Sequence, residues 1–172
     1  MVVPQPRISA LGLDVGNRRI GVAGCDGLGL LATGLGVVHR RSFRQDIAAL
    51  QSWIDQRQAQ ILVVGIPLLA DGSAGSQARQ VKSLMRRMRP ALKLPVEYVN
   101  ERLTTVQASW DLHANGINTH GQKHLIDQQA AAVILQMWLD QMWLDQRRAQ
   151  PFPPPQPERD PSTSDPPSPE CL

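Results

Sequence analysis

At 172 residues and 42% hydrophobic content, the chain is long enough for one ordinary domain with a sizeable core and too short for two. The formal net charge is +3, but the last 22 residues set four acids against one arginine, so residues 1–150 carry +6, which suits a polyanionic partner or simply a solvated basic surface. Two cysteines, Cys25 and Cys171, exclude a disulfide framework or a zinc site; without a membrane-length apolar run or a secretion profile in MVVPQPRISA, the expectation is a cytoplasmic chain with no membrane partner.

Residues 1–7 read as a short extension. Apolar runs at 8–14 and 20–25, separated by VGNRR, signal a hairpin in which Gly16 and Asn17 supply positive φ. A third run at 34–39 completes an antiparallel meander. The period then changes, because Phe43, Ile47, Leu50 and Ile54 recur at helical spacing up to about Arg57. Residues 61–66 form a continuous β-branched run, as expected of a strand buried on both faces. A helix follows with Val81, Leu84, Met85 and Met88 in one stripe, Arg79, Lys82, Arg86 and Arg87 off it, and Pro90 closing the segment.

A strand at 96–99, a helix at 104–114, a loop at 115–121 and a helix from 125 to about 146 complete a domain spanning 8–148. Nine of the 22 residues from 151 onward are proline, with Phe152 and Leu172 the only bulky apolar groups, so 149–172 is expected to be a disordered tail. Within the last helix QMWLD at 136–140 is repeated at 141–145. Five residues rotate a helix by about 140°, so the copies cannot both face the core, and at least one of Trp138 and Trp143 is expected to be largely exposed.

Three acids sit at the edges of these apolar segments: Asp14 after the first strand, Glu101 after the strand at 96–99, and Asp127 in the first turn of the last helix. In open α/β sheets ligands gather at strand carboxyl ends, and carboxylates converging from separate elements bind hard divalent cations. The run Ala130, Ala131 and Ala132 lets the last helix approach the sheet closely. Taken singly, each acid is equally a turn or helix-end residue; three together favour a metal-dependent phosphoryl-transfer centre.

The segments GLDVGNRRIGVA, VVGIPLLADGSAGSQARQV, NERLTTVQA and IDQQAAAVIL, in that order, resemble the YqgF family, also called RuvX, over residues from about 8 to 140. The resemblance implies an α/β, ribonuclease H-like mixed five-stranded sheet, three antiparallel strands then two parallel, flanked by helices. It implies a nuclease using Mg2+ or Mn2+, as two ions, with Asp14, Glu101 and Asp127 as catalytic residues and metal ligands. The implied substrate is nucleic acid: the 5′ end of precursor 16S ribosomal RNA, or alternatively a Holliday junction. Asn100 and Gln107 depart from the family's acidic residues and lower the negative charge near the site.

Arg18, Arg19, Arg102 and Lys123 adjoin the three acids in sequence and are candidate phosphate contacts, with charge balance as the plainer alternative. Gly65 and Gly72, in the loop motif that also contains Pro67 and Asp71, read as backbone-shaping. His120 and His124 are candidates for proton transfer or simply solvated loop residues. Competing classes are a lobe of an actin-like ATPase or sugar kinase, which needs a second lobe the chain has no room for, and a silent RNA-binding assembly factor. A monomer or weak homodimer is expected.

Overall fold

The computed structural model describes residues 7–101 and 123–149. Its elements are β1 (Ala10–Val15), β2 (Arg19–Cys25), β3 (Ala32–His39), α1 (Phe43–Arg57), β4 (Ile61–Ile66), α2 (Ser76–Leu92), β5 (Val96–Asn100) and α3 (Lys123–Ala149). The strands form the expected mixed sheet in the order β3-β2-β1-β4-β5. The β1–β2 and β2–β3 pairs are antiparallel, and β1–β4 and β4–β5 are parallel. The expected helix at 104–114, the loop at 115–121, Arg102, Gln107, His120, the first six residues and the proline-rich tail lie outside the described residues.

The two faces of the sheet differ in thickness because their residues differ in size. On one face Leu11, Leu13, Val15, Ile20, Val22, Leu62 and Val64 meet Leu50 and Ile54 of α1 and Val81, Met85, Met88 and Leu92 of α2. On the other, small residues admit α3, whose Ala131, Ala132, Ile134, Leu135 and Leu139 close over Ala10, Ala23, Cys25 and Val63. The alanines are buried as expected, but they are half of the reason. A Cβ at Gly12 would stand 2.7 Å from both the Ala131 carbonyl oxygen and the Leu135 Cβ, closer than packed atoms tolerate.

Local chemistry sets the element ends. Ser42 caps α1 by accepting from the Gln45 N–H, and Asp46 in the same turn is buried, accepting from the Arg41 N–H at 3.0 Å and from Arg40 Nε at 3.4 Å. Pro90 does not close α2, which runs to Leu92. Proline removes one internal N–H near the helix end, while burial of Leu92 and the bond from the Lys93 N–H to the Arg89 carbonyl hold the final turn. The β1–β2 turn also differs from expectation, since neither Gly16 nor Asn17 has positive φ. Gly16 is needed for space: its N–H donates to the Arg19 carbonyl at 2.8 Å, and a Cβ would lie 2.9 Å from that oxygen.

The repeated QMWLD is resolved differently from the expectation too. Both Trp138 and Trp143 are half-buried, and each indole N–H donates, Trp138 to Glu97 Oε2 at 2.6 Å and Trp143 to the Gly29 carbonyl at 2.7 Å. The tryptophans lie across two flanks of α3, towards β5 and towards the β2–β3 loop. The rotation falls on the leucines instead: Leu139 is fully buried and Leu144 is 48% exposed.

Candidate active site

Asp14 lies inside β1, one residue before its end, and pairs across the ladder with Gly21 of β2. Opposite residues of an antiparallel pair share a face, so both look toward α3. Without a side chain, Gly21 lets the backbone of α3 descend onto the strand, and a Cβ there would collide with the carbonyl group of Asp127 and lie 3.3 Å from its Cα. Asp127 is thereby set down beside Asp14. It lies one turn beyond Lys123, the first described residue of α3.

Glu101 follows β5, its N–H donating to the Ile66 carbonyl at 3.1 Å as the last rung of the β4–β5 ladder. Its side chain folds back over β4, where a Cβ at Gly65 would stand 2.6 Å from Glu101 Oε2. Gly65 has no positive φ, so its part is not to shape the backbone as expected but to leave room for a carboxylate. Gly72 acts otherwise: its φ of +82° serves an exposed turn closed by Asp71, which accepts from the Ser73 N–H and hydroxyl. The contributions of Gly21 and Gly12 were missed in the sequence; the available signal was glycine inside two β-strands, which marks close backbone approach.

The three acids thus meet at the carboxyl ends of β1 and β5 under α3. Burial, with the nearby Asp127 charge, lifts Asp14 to about 6, partly offset by its hydrogen bond with Glu101. Burial, then the Asp14 charge and that same hydrogen bond, raises Glu101 to about 7, so a protonated Glu101 donates to the Asp14 carboxylate. Asp127 is also gripped by Arg19, whose Nε donates to Oδ2 at 2.5 Å. Arg19 therefore turns onto a proposed ligand, whereas Arg18, Lys123 and His124 are exposed.

Oxygen donors that repel one another when ionised are the chemistry a hard divalent cation suits. Asp14 and Glu101 fit that description. Among the described residues, however, no group of three His, Cys, Asp or Glu side chains is arranged to hold an ion, with Asp127 engaged by Arg19.

A mixed sheet in this order, with acids on a central strand, after the last strand and on the covering helix, is the α/β architecture that the sequence resemblance implied. The chain belongs to the RuvX family, described as Holliday junction resolvase, whose profile matches residues 8–141. Relatives include proteins named "Putative pre-16S rRNA nuclease" from Synechococcus sp. (strain JA-3-3Ab), 68% identical over 77% of this chain and 84% of theirs, and from Rippkaea orientalis, 56% identical over 78% and 96%. Among solved structures, T. thermophilus RuvC in complex with Holliday junction substrate is 15% identical, with a TM-score of 0.48, covering 78% of this chain and 96% of that one. No helix of the described residues is long and apolar enough to cross a membrane.

Proposed function

We propose that this chain is a cytoplasmic, divalent-metal-dependent nuclease that trims the 5′ end of precursor 16S ribosomal RNA, with Asp14, Glu101 and Asp127 as its catalytic carboxylates. The observation that carries the chemistry is the hydrogen-bonded Asp14–Glu101 pair with Asp127 alongside, buried carboxyls whose proton affinities are raised by burial and by one another's charge. Relatives bearing the precursor-rRNA name carry the substrate. Asp14 and Glu101 would hold the first Mg2+ or Mn2+, and Asp127, once released by Arg19, would complete the set for two. Such ions would supply charge stabilisation at the phosphoryl oxygens and make the attacking water more acidic.

The remaining roles belong to the protein. Gly21 and Gly65 hold the carboxylates at fixed separation by admitting α3 and Glu101. Arg19 balances Asp127 and is a cation available to a phosphate entering the site. Arg18 and Lys123 supply exposed positive charge at the flanks, which positions a nucleic-acid backbone without reading bases. The test is cleavage of a labelled precursor 16S RNA with Mg2+ or Mn2+ beside a four-way DNA junction. The family description favours the junction as a second substrate. That reading needs a two-fold dimer presenting paired sites, so junction cleavage by a dimer, without cleavage of the RNA, would replace the rRNA assignment.

A further inference from the structure

The other face of the sheet carries a feature the catalytic chemistry leaves unused. Between α2 and β5 runs an open groove of about 560 Å3 lined by Arg79, Lys82, Arg86 and Arg89, with Met85, Val96 and Tyr98 among its other walls. Tyr98 is 39% exposed, and the Lys82 ammonium stands over its ring at 5.7 Å. Burial raises the Tyr98 hydroxyl's proton affinity while the nearby Arg89 and Arg86 charges lower it. The four cations lie three, four and three residues apart, and α2 contains no acid. Like charges at these spacings disfavour a helix, and the one acid of β5, Glu97, is drawn to Trp138 of α3.

We propose that this groove binds the single-stranded part of the RNA next to the scissile bond, its phosphates along Arg79, Lys82, Arg86 and Arg89 and one base stacked on Tyr98. An aromatic platform beside a row of cations is the pattern that holds unpaired nucleic acid, and stacking needs a base free of its helix. Tyr98 and Glu101 are three residues apart along an edge strand, roughly 10 Å at extended spacing. The groove therefore lies close enough to the carboxylates along β5 for one RNA strand to touch both. The proposal rests on the nuclease reading for its choice of RNA.

The experiment measures binding of a fluorescent single-stranded RNA to the full chain by anisotropy, in EDTA and over a range of salt. Tyr98→Ala should weaken binding about tenfold, within the range for losing one stacked base, while Tyr98→Phe stays near wild type. The double variant Arg86→Ala, Arg89→Ala should flatten the log–log salt slope by about 1.4, two phosphate contacts' worth for a single strand. Wild-type affinity in both Tyr98→Ala and the double variant overturns the proposal, as does a loss in Tyr98→Phe equal to that in Tyr98→Ala, or an equal effect on duplex DNA. Because binding is read in EDTA and cleavage separately with Mg2+ or Mn2+, groove binding by a wild-type protein that cleaves no RNA with metal leaves the groove standing and removes the nuclease reading. Unchanged binding in the variants alongside normal RNA cleavage does the reverse.

Discussion

Gly21→Ala tests the architecture of the site with a single methyl group. That methyl would enter the space of the Asp127 carbonyl and sit 3.3 Å from its Cα, where unstrained carbon contacts need about 3.5–4.0 Å. The helix cannot simply tilt away, because Gly12 fixes it over β1 at Ala131 and Leu135 and Gly34 fixes it over β3 at Gln128. Overpacking of this kind costs about 1–3 kcal/mol, which in a domain of this size lowers Tm by roughly 3–10 °C. Retreat of α3 also carries Asp127 from Asp14, and a shift of about 1 Å in a catalytic group costs on the order of a hundredfold in rate. The assays are thermal melting and RNA cleavage, with Gly27→Ala as control because among the described residues its Cβ would meet only Arg7 side-chain atoms at 3.8 Å. A Gly21→Ala protein melting and cleaving like the control would refute the close-approach argument.

Stability of the metal-free protein should fall as pH rises. A carboxyl whose proton is held more tightly in the folded state stabilises fully below its unfolded value near 4, and that contribution is lost as pH climbs through about 6 for Asp14 and about 7 for Glu101. Asp14 alone, moved from 3.8 to about 6, represents about 3 kcal/mol. The wild-type Tm relative to that of Asp14→Asn should therefore drop between about pH 4 and pH 7, and a flat difference would contradict the buried pair. Arg19→Gln should strengthen Mn2+ binding, measured calorimetrically at pH 8, by about 1 kcal/mol, the upper end for a partly exposed ion pair; unchanged affinity would remove Asp127 from the ligand set. Asp46→Ala should cost about 1–3 kcal/mol in urea unfolding, because the Arg41 N–H and Arg40 Nε lose a buried acceptor.

The strands and helices were legible because hydrophobic period and β-branched runs report directly on which faces are buried, and the run at 61–66 became β4 with those bounds. What escaped was set by contacts between distant segments. Pro90 reads as a stop, yet the burial of Leu92 outweighs it. At least one of Trp138 and Trp143 reads as largely exposed, yet a carboxylate on β5 and a carbonyl in the β2–β3 loop each satisfy an indole N–H. The same holds at the site. Asp14, Glu101 and Asp127 were visible as acids at element edges, and the structure brings Asp14 and Glu101 into hydrogen-bond contact with Asp127 alongside. That Gly21 and Gly65 make the room, and that Arg19 faces inward onto Asp127, depends on pairings across the sheet that no local pattern reveals.

The central claim is that these carboxylates hydrolyse RNA. Its most direct test is cleavage of labelled precursor 16S RNA in Mg2+ or Mn2+ by the wild type and by Asp14→Asn. The account predicts cleavage by the wild type and its loss in a variant that melts cooperatively and still binds the RNA; equal cleavage by Asp14→Asn would contradict it.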